Sequence, residues 1–286
     1  MIEHILVCPF DKQLLAKFKH RTIVINTNDF NSIRNINDEV NKSNKLYAIK
    51  IQTGKSFSSI PFRKDWGNIP LAVYSPEFGS YKEFLHQLNL IRKLNIRIFL
   101  SSHSDFNFTG LRILSSLNIG CGIYFNGEPY KWDLMNDLMH YAIYSMIKHA
   151  SLEPFNWLAS NYEQTGYTDY NIVYFNHPSK YLHVNEKEQI ALTEKDMLNK
   201  NYIDEGIDSL DNICENKKYT DFLNYRYEIM LQMNECAFCP AFRICLGKFS
   251  ELPDKSKSCK TFFSDFLDAA DYSFSKRNNE NQVWQL

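Results

Sequence analysis

An α/β fold in two parts is predicted by three observations. Strand-like and helix-like segments alternate through the first half of the chain. The pattern changes near residue 165 to a hairpin-like pair followed by helices. Four of the seven cysteines then bunch between Cys236 and Cys259. Alternating strands and helices of about 10–15 residues indicate βα units around a parallel sheet.

The elements follow in order. Thr22 to Asn26 (TIVIN), Leu46 to Ile51, Leu71 to Ser75, Ile96 to Ser102 and Ile119 to Phe125 are short apolar runs, read as strands. Between the third and fourth runs, Phe84, Leu85, Leu88, Ile91 and Leu94 recur at helical spacing; between the last two, Leu111, Ile113, Leu114 and Leu117 do the same. A long helical region is expected from about Trp132 to Tyr162, with a break near Pro154. Asn171 to Phe175, Tyr181 to Val184 and Gln189 to Thr193 are read as strands, the last two joined by a hairpin turn at Asn185 to Glu188. Ile207 to Met233 is expected to be helical, and the polar stretch Lys276 to Asn281 is read as a mobile tail. The expected division is 1–165 and 166–286.

Composition excludes several classes. Of 286 residues, 44% are hydrophobic and 15% aromatic, enough for a core and too much for a disordered chain. Lys and Arg total 32 against 33 Asp and Glu, a formal net charge of -1, so no basic footprint for nucleic acid exists. The N-terminal apolar run, Ile5 to Cys8, is preceded by Glu3 and is too short for a secretory signal. No window approaches the ~20 apolar residues of a membrane span. A cytoplasmic setting is expected, where clustered thiols more often bind metal than form disulfides. Gly-x-Ser-x-Gly, His-Glu-x-x-His and a phosphate-cradling glycine loop are absent.

The cysteine cluster carries the strongest chemical signal. Cys236, Cys239, Cys245 and Cys259 are spaced Cys-x2-Cys-x5-Cys-x13-Cys. A Cys-x2-Cys loop converges two thiolates on one centre, and two further cysteines complete a four-thiolate shell. Soft thiolates suit zinc or an iron–sulfur cluster. A redox dithiol would leave the other two cysteines unexplained. Cys8, Cys121 and Cys214 lie apart in sequence and are read as free thiols. His103 and Asp105 follow a strand end, where βα folds host chemistry, although a solvated loop is the plainer reading. His140 and His149 are poorly spaced for one helix face and are read as structural.

The segment MNECAFCPAFRICLGKF, with KSKSC after it, resembles the end of a SPASM domain, the C-terminal extension of many radical-SAM peptide-maturing enzymes. The approach IDEGIDSLDNICENKKYTDFLNYR is similar to that family's helical lead-in, and the resemblance spans roughly residues 170–262. It implies a shortened (partial) TIM-like βα barrel followed by a small α+β SPASM-like iron–sulfur domain. It also implies that Cys236, Cys239, Cys245 and Cys259 ligate the family's second auxiliary [4Fe–4S] cluster, with zinc as the alternative. The family's first auxiliary cluster is not implied: Phe249 stands at one of its cysteine positions, and the hairpin Tyr181 to Thr193 has no cysteine. The radical-SAM Cys-x3-Cys-x2-Cys motif is missing too, so no radical chemistry is expected. Phe125 to Pro129 (FNGEP) resembles the family's methionine-binding loop only faintly and is read as a turn. The implied role is that of an accessory protein of ribosomal-peptide maturation, with a precursor peptide or a peptide-modifying enzyme as partner, bound at the barrel mouth or as an added strand. An enzyme using His103, Asp105 or Glu128 at the strand ends is the rival reading.

Overall fold

A computed structural model of the chain describes residues 3–125, 130–231, 235–247 and 258–283. The strands are β1 (Ile5–Pro9), β2 (Thr22–Thr27), β3 (Lys45–Gln52), β4 (Leu71–Ser75), β5 (Ile96–Ser101), β6 (Cys121–Tyr124), β7 (Leu152–Glu153), β8 (Tyr181–Val184) and β9 (Ile190–Ala191). The helices are α1 (Lys12–Lys17), α2 (Ile33–Val40), α3 (Tyr81–Ile91), α4 (Asp105–Ser116), α5 (Trp132–Tyr144), α6 (Phe155–Asn161), α7 (Glu194–Leu198), α8 (Lys217–Leu231), α9 (Phe242–Cys245) and α10 (Ser258–Val283). The fold is α/β with mostly parallel strands. Among the described residues no helix is long and apolar enough to cross a membrane.

The chain forms two compact units, and both are discontinuous. Unit 1 comprises Met1–Ser101 and Tyr174–Leu223; unit 2 comprises Ser102–Val173 and Asn224–Leu286. The boundary expected near residue 165 falls inside unit 2.

In unit 1 the strand order is β5-β4-β3-β2-β1-β8-β9. β1 to β5 are consecutive and parallel, and β8 joins β1 in parallel on the side away from β2. That order is compatible with a partial βα barrel. The strands are continuous apolar runs because both faces are covered: Ile23, Val24, Ile25, Ile49, Ile51, Val73, Ile98 and Leu100 are all fully buried. Side-chain caps start the helices. The Asp11 carboxylate accepts from the Leu14 N–H at 2.8 Å to open α1, and Ser80 accepts from the Glu83 N–H to open α3. The expected hairpin is present, with His183 paired to Ala191 and Val184 to Ile190 in antiparallel register.

In unit 2, β6 and β7 pair in parallel, Cys121 with Leu152 and Gly122 with Glu153. α10 supplies the apolar core against α5 and α6. Phe262 lies 5.5 Å from the Trp132 ring, and Phe266 lies 5.4 Å from Phe155 in an edge-on contact. Polar bonds fix the same helix: Tyr162 Oη donates to Asp271 at 2.9 Å, and Arg277 donates to the carbonyls of Ala159 and Tyr162.

Three sequence expectations are corrected. Asn171 to Phe175 is not a strand; Tyr170–Tyr174 is a 3₁₀ helix. The Asp169 carboxylate accepts from the Asn171 N–H at 2.8 Å, closing a turn, and Tyr170, Val173 and Tyr174 are buried at helical spacing. The helix expected to run to Pro154 ends at Tyr144, ten residues earlier in sequence than the proline (from 144 to 154), because Ser145 is extended and its Oγ accepts from the Ile147 N–H. Residues 152–153 are strand β7 instead. The expected mobile tail Lys276 to Asn281 belongs to α10.

Because Phe266 is 1% exposed and bridges two helices, Phe266→Ala should cost about 3–5 kcal/mol of stability. Urea denaturation followed by far-UV circular dichroism checks this.

Candidate functional site

The cysteine site is built by three local structures of unit 2. A 3₁₀ turn, Glu235–Phe238, carries Cys236, and the Cys239 N–H donates back to the Cys236 carbonyl at 3.1 Å. The short helix α9 ends on Cys245, which is buried beside Phe242 and Ile244. Leu246 then adopts a left-handed conformation, φ 53°, and stops the helix. Cys259 sits in the first turn of α10, where the helix dipole favours a thiolate. Arg243 of α9 pairs with Asp271 of α10 at 3.5 Å, stacks over Tyr162 at 5.2 Å, and its carbonyl accepts from the Thr168 N–H at 3.0 Å. These contacts hold the cysteine loop against α10.

All four cysteines interact. The thiols of Cys245 and Cys259 share a hydrogen bond that lowers the Cys259 pKa, against burial and the repulsion of Cys236 and Cys239, which raise it. Cys236, Cys239 and Cys259 are half-buried. Thiol-to-thiol hydrogen bonding is the arrangement of neutral thiols; four thiolates this close would repel one another without a cation between them. Among the described residues no group of three or more His, Cys, Asp or Glu side chains is arranged to hold a metal ion as it stands. The donor set itself, with Cys259 interacting with the other three cysteines, has the chemistry of a thiophilic centre.

Among the described residues, the remaining sequence candidates do not join this site. Asp105 opens α4, is exposed, and pairs with Lys131; His103 is exposed. Glu128 lies outside the described residues, as does Phe249. Cys121 is buried, its thiol donates to the Leu111 carbonyl at 3.4 Å, and burial, then Glu153, push its pKa up. Burial raises Cys8 likewise. Cys214 is exposed. His149 Nδ1 lies 3.1 Å from Ser115 Oγ, while His140 packs on Tyr144, so the two histidines serve different neighbours.

No family model, curated protein or solved structure matches this chain.

A second polar site, not foreseen from the sequence, lies in unit 1 at the C-terminal ends of β1, β2, β3 and β8. In register, Val7 pairs with both His183 and Val24, and Asn26 pairs with Lys50. Counting two residues on from Val24 and from Lys50, His183, Asn26, Lys50 and Gln52 therefore share one sheet face. The Lys50 side chain is only 2% exposed. Its ammonium lies 2.7 Å from Glu194 Oε2 and 4.9 Å from the centre of the Tyr74 ring. Gln52 Nε2 donates to the other Glu194 oxygen at 2.7 Å. Glu194 opens α7, where Thr193 caps the helix and Asn176 Oδ1 accepts from the Glu194 N–H at 2.8 Å. Burial pushes the Glu194 carboxyl up, but the charge and hydrogen bond of Lys50, then Gln52 and His183, leave it below the usual carboxylate value. His183 is held down to about 4, first by burial; Lys50 also lowers it, while Glu194, the Phe175 carbonyl and Asp196 oppose. A neutral imidazole beside an ion pair results. The readable signals were a lysine inside the apolar strand LYAIKIQ and a histidine inside YLHV, both in parallel strands that should be apolar on both faces.

Two predictions follow from these buried charges. Glu194→Ala strands the Lys50 ammonium without its carboxylate and should cost about 3–5 kcal/mol, whereas Lys50→Met combined with Glu194→Leu should cost clearly less; chemical denaturation of the three chains tests the difference. The second concerns acid. A histidine depressed from 6.5 to about 4 binds its proton in the unfolded chain first, so stability is complete above about pH 6.5 and falls as pH drops toward 4. Between pH 7 and pH 5 this amounts to about 2 kcal/mol. His4, also lowered chiefly by burial, acts in the same direction. His183→Gln should flatten most of that slope in urea melts at the two pH values.

Proposed function

We propose that this chain is an accessory SPASM-type iron–sulfur protein of ribosomal-peptide maturation. One [4Fe–4S] cluster would be held by Cys236, Cys239, Cys245 and Cys259. The observation that carries this reading is the interaction of Cys259, from the start of α10, with all three other cysteines. Spacing groups all four cysteines, and the electrostatic neighbourhood of Cys259 supports that grouping. When bound, such a cluster supplies a rigid cross-link and a one-electron store, and full cysteine ligation leaves no iron open to a substrate. The chain's own part is to hold the four thiols: α9 buries Cys245, the Arg243–Asp271 pair clamps α9 to α10, and the first turn of α10 favours the Cys259 thiolate.

A precursor peptide, or the enzyme that modifies it, is the proposed partner. Addition of a peptide strand beside β9 is disfavoured at Ile190, which already exchanges backbone bonds with Ile203 and Asp204 at 2.8 and 2.9 Å. Structural zinc on the same four thiols is the second reading, favoured by the same donor set.

Anaerobic purification separates these readings. A brown protein absorbing broadly near ~400 nm with about four irons per chain is expected. A colourless protein with one zinc supports the second reading, and neither metal overturns both. Cys239→Ala should lower metal content and thermal stability together, because ligation and folding are coupled. In an anaerobic pull-down, recovery of neither a precursor peptide nor a modifying enzyme would remove the peptide role while leaving the metal result intact.

A further inference from the structure

The strand-end site of unit 1 encloses a cavity of about 410 Å³, lined by Val7, Asn26, Gln52, His183, Glu194 and Leu198 among others. This volume lies within the range of small-molecule pockets. Two buried polar atoms on its wall have no hydrogen-bond partner: His183 Nε2 and Asn26 Oδ1. His183 is only 3% exposed, so its unmet nitrogen is not served by open solvent. An unsatisfied buried polar atom is costly and rare, and it calls for a specific reason. The neighbouring polar groups do not supply one. Glu194 is occupied by Lys50 and Gln52, and Asn185 by Gln189 and the backbone of Lys187.

The type of each unmet atom defines its complement. The ring of His183 interacts with the Phe175 carbonyl. With Nε2 unpartnered, that contact falls to Nδ1, which therefore carries the proton. Nε2 is then a lone pair, and Asn26 Oδ1 is likewise an acceptor. Both atoms belong to side chains that line the cavity, and both require donors. Charge narrows the class further. Glu194 is balanced by Lys50, and at the rim Glu186 is offset by Lys187. A charged ligand would enter without a counter-charge and lose its hydration unrepaid. Val7, Met197 and Leu198 offer apolar wall for a carbon framework.

We propose that this cavity binds an uncharged small molecule that donates two hydrogen bonds, one to His183 Nε2 and one to Asn26 Oδ1. Carboxamides and polyols share that chemistry. The site lies entirely within unit 1, and its occupation does not depend on any metal at the cysteines.

The test uses the full chain carrying ¹⁵N-labelled histidine, with nicotinamide as the carboxamide probe, ribose as the polyol probe and nicotinate as a charged control. Saturable displacement of the His183 ring nitrogen signals by nicotinamide or by ribose is expected, and whichever probe acts identifies the source. Nicotinate should bind at least about tenfold more weakly than nicotinamide if the carboxamide is the ligand type. Asn26→Ala should weaken binding by about tenfold, the value of one hydrogen bond. Leu198 is 78% exposed on the cavity rim, so Leu198→Trp can fill the opening without disturbing the core, and should block binding while the amide spectrum stays native. The proposal is overturned if neither probe moves His183 at its solubility limit, if nicotinate is the tightest binder, or if Leu198→Trp leaves binding unchanged. The same titration on Cys239→Ala should give the same result; a metal-free chain that still binds separates this site from the cysteine reading.

Discussion

The parallel pairing of β8 with β1 is the constraint on which unit 1 depends. Ile5, Leu6 and Val7 align with Tyr181, Leu182 and His183, and the Ile5 N–H donates to the Lys180 carbonyl at 2.8 Å. The strands β1 to β5 can order themselves through short βα connections. β8 arrives only after the whole of the first segment of unit 2 has been made. Its arrival brings His183 onto the same face as Asn26 and Lys50, and it brings the hairpin and α7 that carry Glu194. Without that pairing Lys50 would be a charge inside an apolar strand, a position that is tolerated only with a partner. The Lys50–Glu194 ion pair therefore depends on the non-local strand pair.

Unit 2 solves a different problem with one long helix. α10 presents Phe262, Phe263 and Phe266 to the core, while its first turn delivers Cys259 and Asp271 engages both Tyr162 and Arg243. Core packing and the placement of the thiols are thus coupled through a single rigid element. Any loss of helix at the start of α10 would remove Cys259 from its neighbours, which explains why metal content and stability are expected to change together.

The two polar sites have opposite electrostatic characters. At the cysteines, groups that would repel one another as thiolates are assembled, and the proposed thiophilic centre would relieve that repulsion. At the strand ends, charge is already balanced within the protein, and what is left open is a pair of hydrogen-bond acceptors. The proposed occupants differ accordingly, a metal centre at the cysteines and a neutral donor at the strand ends, where the neutral histidine also makes the fold sensitive to acid.

Periodicity in the sequence determined the α/β class and strands β2 to β6, because parallel strands covered on both faces are uninterrupted apolar runs. Spacing likewise grouped Cys236, Cys239, Cys245 and Cys259. Local polar bonds misled it: the Asp169 turn made a helix of an apolar pentapeptide, and Ser145 ended a helix that its apolar pattern would have continued. β1 is not read as a strand from the sequence, where the run Ile5 to Cys8 is weighed only as a signal segment. Only the tertiary structure decided that Lys50 meets Glu194 and that His183 and Asn26 line one cavity. Each of these joins residues far apart in the chain, and no local propensity records which strands or helices will become neighbours in space.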